Sequence, residues 1–235
     1  MSVASRPTSD PLVIAIDGPA GAGKSTVGRA VARELGLDYL DTGAMYRAAT
    51  FAVLRRGVDP NENDEVARIA QSIELTVDDT GVIVDGVDAT VEIRGRAVTA
   101  AVSAVAANSR VRAALVARQR EWVAEHGGGV VEGRDIGSVV FPDAALKLYV
   151  TASPRVRAER RVAEIGGDVD EVESSIIERD RKDSSRSDSP LTEATGAVVV
   201  DTTGMPVDEV VAHIISLLPA DAVGPDVGAE EPATR

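Results

Sequence analysis

The stretch from Leu12 to Thr26, LVIAIDGPAGAGKST, constrains this chain more than any other. A short apolar run leads into a glycine-rich loop closed by Lys24 and Ser25, and Gly18, Gly23, Lys24 and Ser25 fall at the fixed positions of a phosphate-cradling loop. The glycines let successive backbone N–H groups face one anion, Lys24 adds a positive charge, and the Ser25 hydroxyl can ligate Mg²⁺. A helix beginning near Lys24 would aim its positive dipole end at the same phosphates. The flanks agree: LVIAI reads as a buried strand, VGRAVAREL as an amphipathic helix, and Gly36 as its stop. Gly18, Pro19, Ala20, Gly21, Ala22, Gly23, Lys24, Ser25 and Thr26 are therefore the expected nucleotide-phosphate segment, with Ser25 the metal-ligating candidate.

The rest of the composition removes alternatives. A net charge of -13 over 235 residues argues against a nucleic-acid surface, because neutralising a phosphate backbone needs a broad basic face. The absence of cysteine excludes disulfides, thiolate catalysis and cysteine metal sites, and two histidines make a histidine metal centre implausible. With aromatics at only 3%, the core must rest on Val, Ile, Leu and Ala. No apolar run reaches membrane-spanning length, and the first ten residues lack the apolar centre of a secretory signal, so a cytoplasmic protein is expected.

Beyond the loop helix, Asp38 to Leu40 reads as a short strand, and Thr42 is placed to cap a helix through AMYRAATFAVLRR. Arg47 lies just over one turn into that helix, as a ligand-facing group or a solvated arginine. From Ile73 to Ile93 the periodicity changes to ELTVDD, VIVDG and ATVEI, which predicts a small antiparallel meander inserted in an alternating strand and helix chain. Two helices follow, near Arg96 to Ala107 and Ser109 to Glu125, the first rich enough in alanine and valine to be expected buried. VVEGRDIGSVVF opens with another buried strand, and Glu132, Arg134 and Asp135 fall at its C-terminal end, where open parallel sheets bind ligands. Arg134 and Asp135 are candidates on that ground, with a surface ion pair as the alternative.

LKLYV supplies the next strand, and Ser153 with Pro154 starts a helix carrying Arg157, Arg160 and Arg161 on one face. Arg179, Asp183 and Arg186 share a face of a second helix. Pro154 to Arg186 holds seven arginines but nine acidic residues, so solvated helices laced by ion pairs compete with a charge-covering role for these arginines. AVVVD reads as the last strand and PVDEVVAHIISLL as the closing helix, on which His213 is structural. The tail from Ala220, rich in small, acidic and proline residues, is expected to be disordered.

IDGPAGAGKST, LDTGAMYR, VEIRG, AVSAVAANSRVRAALVARQR, VVEGRDIGSVVFPDA and ERDRKDSSR, in that order, resemble the bacterial cytidylate kinases among the P-loop nucleoside monophosphate kinases. The resemblance covers nearly the whole chain. It implies an α/β fold of the P-loop NTPase type, with a five-stranded parallel sheet, flanking helices, a small antiparallel β insertion and a helical lid. It divides the chain into a core (12–41, 126–153 and 187–219), a monophosphate-binding domain (42–125, insertion at about 73–93), a lid (154–186) and flexible termini (1–11 and 220–235).

The implied reaction moves the γ-phosphoryl of ATP, with Mg²⁺, to CMP or dCMP. The same chemistry on another acceptor such as UMP or AMP is the nearest alternative, and a non-catalytic nucleotide switch a more distant one, because the chain lacks the NKxD motif of GTPase switches. By resemblance, Thr42, Arg47, Ser103, Arg112, Arg134, Asp135, Arg179, Asp183 and Arg186 form the monophosphate site. Within it Arg47, Arg134 and Arg186 hold the acceptor phosphate, Ser103, Arg112 and Asp135 read the cytosine, and Arg179 and Asp183 hold the sugar. Some relatives carry serine where this chain has Thr42. Arg157 and Arg161 resemble lid arginines that close over the triphosphate, and Lys24, Arg134 and Arg186 would be catalytic. Partners are then small nucleotides, with no nucleic acid or membrane, and the protein is expected to be a monomer.

Overall fold

The computed structural model describes residues 11–78, 80–185 and 191–218. β1 (Leu12–Asp17) is the central strand of a five-stranded sheet, and its apolar run is continuous because both faces are covered. Ile14 and Ile16 face one layer, with Val27 and Val31 of α1 (Lys24–Leu35) and Val210 and Ile214 of α8 (Val207–Ser216). Val13 and Ala15 face the other, with Met45 of α2 (Thr42–Arg55) and Val123 of α5 (Ser109–His126). The sheet runs β2 (Tyr39–Asp41), β6 (Gly128–Glu132), β1, β7 (Leu146–Thr151), β8 (Val198–Asp201), all parallel, as expected of this fold class. That order puts the loop after β1 beside the C-terminal end of β6, with Ile16 registered on Glu132 and Asp41 on Glu132 from the other side.

A second core lies in the segment 42–115. Ala48, Ala49, Ala52 and Val53 of α2 pack with Val66 and Ile69 of α3 (Asn63–Ser72), with Leu115, and with Val82, Val84 and Ile93 of the insertion. No aromatic side chain is among the buried core residues described, in line with the aliphatic expectation. α3 had no counterpart in the sequence reading, although Asp64 and Glu65 in its first turn and the spacing of Val66, Ile69 and Ala70 mark it.

The insertion forms an antiparallel sheet of β3 (Leu75–Asp78), β4 (Gly81–Val84) and β5 (Val87–Asp88). Its third strand lies just before ATVEI (89–93), which itself forms no strand, because Asp88 accepts from the Thr90 N–H and the Thr90 hydroxyl takes the Val82 N–H, turning the chain away. Glu92–Arg94 is instead a short 3₁₀ turn with Ile93 buried beneath it. The alanine-rich helix α4 (Arg96–Ala107) is buried only along Val98, Val102, Val105 and Ala106, not throughout, because alanine spacing without flanking helices on every side leaves its other face in solvent. Helices α6 (Pro154–Ile165) and α7 (Val169–Ser184) pack on each other, with Ser153 capping α6 as expected. Among the described residues no helix is long and apolar enough to cross a membrane. The expected disordered tail and Arg186 lie outside the described residues.

Candidate active site

The loop after β1 owes its shape to glycine at two points. At Gly18, φ is 143° and an added Cβ would sit 2.0 Å from the Val150 carbonyl oxygen, so no other residue fits. Gly23 adopts φ 86° as the N-cap of α1, which begins at Lys24 as expected. Lys24 is buried, and its Nζ donates to the Pro19 carbonyl at 3.0 Å, folding the side chain over the loop. Burial, followed by the nearby Arg134 guanidinium, pushes the Lys24 ammonium down to about 8, against the opposing pull of Glu132.

Glu132, at the C-terminal end of β6, faces this loop. The Ser25 hydroxyl donates to its Oε1 at 3.0 Å, while its buried Oε2 has no hydrogen-bond partner. Burial raises the Glu132 pKa, and Lys24 opposes it. The Glu132 backbone carbonyl accepts from the Thr42 hydroxyl at 2.7 Å. Thr42 is therefore not the cap of α2: Asp41 is, its Oδ1 accepting from the Ala44 N–H at 2.9 Å, because the threonine hydroxyl is committed across to β6. The sequence reading placed Glu132 at this strand end without assigning it a role. Its signal was an acidic residue closing an apolar strand beside a phosphate-type loop.

Further charged residues converge from the segment after β6, α7, α5, α2 and the Glu92–Arg94 turn. Arg134 donates Nη1 to the Gly18 carbonyl at 2.9 Å and Nε to Asp183 Oδ2 at 3.1 Å, joining the loop to α7. Arg179 lies 4.0 Å from the same oxygen of Asp183, a residue that is 1% exposed. Arg112 of α5 and Asp135 form a buried ion pair, and Arg112 also lies over the Tyr46 ring, 5.8 Å from its centroid. Arg47 donates Nη1 to the Ile93 carbonyl and to Thr99 Oγ1, each at 3.0 Å. Burial lowers the Arg47 pKa, and Arg94, Arg161 and Arg134 lower it further, so at least four guanidinium groups crowd one region. Arg94, 3.9 Å from Asp41, is a member of this group that the sequence reading did not single out. Ser103 is half-buried on α4, outside the hydrogen bonds that assemble the other described residues.

The arginines of α6 divide. Arg157 is buried and donates to the Ala152 and Ala20 carbonyls at 2.9 and 3.2 Å while pairing with Asp180 at 2.7 Å, so it buttresses the loop. Arg160 donates to Thr202 Oγ1 and its carbonyl at 3.0 and 2.8 Å. Arg161 is partly exposed, with Glu164 at 3.2 Å.

This arrangement offers one anion a loop of backbone N–H groups with Lys24, and a second anion the guanidinium cluster opposite. No histidine lies among these residues, and none is required if both ligands arrive as anions. The donor set also fits Mg²⁺: one hydroxyl, Ser25, stands against a carboxylate whose second oxygen is unsatisfied, which suits a cation held mainly by phosphate oxygens and water. Among the described residues no cluster of three or more His, Cys, Asp or Glu could form an all-protein cage.

The family model described as Cytidylate kinase matches residues 14–220. The chain is similar to a cytidylate kinase of Corynebacterium efficiens, 49% identical over 220 residues that cover 90% of this chain and 96% of that protein. It is similar to a cytidylate kinase of Mycobacterium avium, 48% identical with coverage of 88% and 95%. A bifunctional pantoate ligase/cytidylate kinase of Synechococcus is 47% identical over 91% of this chain, which spans only 44% of that longer protein. Among solved structures, an uncharacterized protein from Eubacterium ventriosum aligns with a TM-score of 0.51 at 11% identity, covering 87% of this chain and 96% of that one, a likeness of fold alone.

Proposed function

The chain belongs to the cytidylate kinase family, and from that premise we propose that it transfers the γ-phosphoryl group of ATP to CMP or dCMP. The observation that most supports this reading is Arg134, which spans from the Gly18 carbonyl of the loop to Asp183 and so stands between the two anion sites. A phosphate oxygen of the monophosphate bonds to the γ-phosphorus as the bond to the bridging oxygen of ADP breaks, and ADP leaves with that electron pair. The acceptor is already anionic, so alignment, charge neutralisation and exclusion of water carry the catalysis.

Lys24 and the loop N–H groups hold the donor phosphates, Arg47, Arg134 and Arg186 the acceptor phosphate, Ser103, Arg112 and Asp135 the base, and Arg179 and Asp183 the sugar. Ser25 would hold Mg²⁺, whose contribution is to neutralise charge on the bridged phosphates. Arg157 and Arg161 serve the triphosphate, the first from beneath the loop and the second from its more exposed place. In this reading 42–125 is the monophosphate-binding domain and 154–186 the lid, supported by the separate core of α2, α3, α5 and the insertion and by the packing of α6 on α7. The protein works as a cytoplasmic monomer in pyrimidine nucleotide metabolism, where ATP and CMP occur together.

The test is a coupled ADP-release assay with ATP and each of CMP, dCMP, UMP and AMP. The expected result is turnover of CMP and dCMP with far lower kcat/KM for the others. Preference for UMP or AMP, or ATP binding without transfer, would replace the reading.

One pH effect follows from Lys24. In the free protein it loses its proton as pH rises through about 8, whereas bound phosphates favour the ammonium form. ATP affinity measured calorimetrically should fall as pH is raised past that value, and this fall should be flattened in Lys24→Ala.

A further inference from the structure

Asp17 is buried at the end of β1, next to Gly18, and the chemistry above makes no use of its carboxylate. Its Oδ1 accepts the Ile136 N–H at 2.7 Å and its Oδ2 the Gly137 N–H at 2.8 Å. Those amides open a π-helical turn, Ile136–Val140, that directly follows Arg134 and Asp135. On the other side of the same pair, the Gly133 N–H donates to the Ile16 carbonyl at 2.9 Å and Arg134 reaches back to Gly18. Arg120 secures the far end of the turn through Nε to the Val140 carbonyl and Nη2 to the Val139 carbonyl, each at 3.0 Å. Asp135 itself has φ −147° and ψ 25°, outside helix and strand, so its side-chain direction depends on what pins the residues around it.

We propose that Asp17 is a positioning residue for phosphoryl transfer, its two carboxylate oxygens fixing the turn that presents Arg134 and Asp135 at a set distance from the donor loop. The inference rests on the proposed assignment of Asp135 to the acceptor side. An apolar residue would fill the same space, but only a carboxylate offers two acceptors to two adjacent N–H groups. Asparagine keeps the volume and one acceptor and sets an NH₂ against the second N–H.

Protonation has a similar effect on the turn. Burial pushes the Asp17 carboxyl up to about 6, with Asp135 adding to the rise, while the Gly137 and Ile136 N–H groups and Lys24 oppose it. Lys147 of β7 also packs its methylenes at Gly137, but its ammonium donates to the Pro142 carbonyl. The folded pKa stands above the ordinary 3.8, so the stability contribution of this group is fully present below about 3.8 and is lost as pH rises through about 6. Acid therefore removes the second acceptor from the turn without a loss of stability from this residue. The acceptor phosphate titrates near pH ~6 as well, so the informative quantity is the ratio of variant to wild type.

The experiment measures kcat and both KM values for wild type, Asp17→Asn, Asp135→Asn and the double variant between pH 5.5 and 8. At pH 7.5, Asp17→Asn should lower kcat/KM for CMP by roughly tenfold or more with KM for ATP nearly unchanged, since small misplacements of an acceptor are costly. The ratio to wild type should narrow toward pH 5.5, and the double variant should lose less than the product of the two single effects. Equal effects on both substrates, or an additive loss in the double variant, would overturn the inference while leaving the functional reading intact. A wild type inactive on CMP would overturn both, and an Asp135→Asn with unaltered KM for CMP would overturn the assignment of Asp135 on which the inference rests. If Asp17→Asn does not fold, hydrogen exchange on the wild type at pH 7.5 serves instead: the Ile136 and Gly137 amides should be protected as well as the Gly133 amide, and free exchange of either overturns the inference.

Discussion

Lys24→Ala should lower kcat/KM by roughly 30- to 1,000-fold, corresponding to a loss on the order of 2–4 kcal/mol of transition-state stabilisation. Lys24 folds over the loop, and in the proposed reaction its charge would face the negative charge that accumulates during transfer. The same substitution should leave thermal stability unchanged or raise it. Burial pushes the Lys24 ammonium down to about 8, so holding the charge in the unliganded fold is unfavourable at neutral pH. The sign is that of a lysine whose charged form is disfavoured by folding, so its removal relieves a cost. Steady-state kinetics beside a calorimetric melt checks both halves, and turnover near the wild-type rate would remove Lys24 from the catalytic set.

Arg112→Ala should destabilise the fold by about 3–5 kcal/mol, because it leaves the Asp135 carboxylate buried and unpaired. Both partners are 5% exposed or less, so water cannot replace the missing guanidinium. For a chain of this size the melting temperature should fall by roughly 10 °C or more. Arg112→Ala with Asp135→Ala should cost clearly less than the sum of the single changes, since the double variant buries no lone charge. CMP should restore less stability to Arg112→Ala than to the wild type if Arg112 reads the base. A melt within about 2 °C of the wild type would show that the pair is not sealed from solvent.

The legible part of the fold consisted of elements whose pattern is local. β1, α1 and Gly36 announced themselves by an apolar run, a helical period and a left-handed stop, and the structure has each in place. α3 is missed because its apolar stripe is narrow and built partly of alanine, and ATVEI reads as a strand because its apolar alternation resembles one until Thr90 is seen bonding back to Val82 and the strand ending at Asp88. Helix capping at Asp41 rather than Thr42 could not be read locally. Two adjacent residues can each cap, and the choice was made by Glu132, 90 residues away, which occupies the threonine hydroxyl.

By itself the sequence determined the phosphate-cradling loop, the alternation that dictates a parallel sheet, and the family to which the chain belongs, because each depends on residue identities at fixed short spacings. Only the tertiary structure decided what Asp17 and Glu132 contact. A carboxylate at a strand end takes its role from the neighbouring strands, and it is the order β2, β6, β1, β7, β8 that lays Glu132 beside Ser25 and the Ile136–Val140 turn over Asp17. Those contacts join residues more than a hundred positions apart, a distance over which no periodicity or motif carries information.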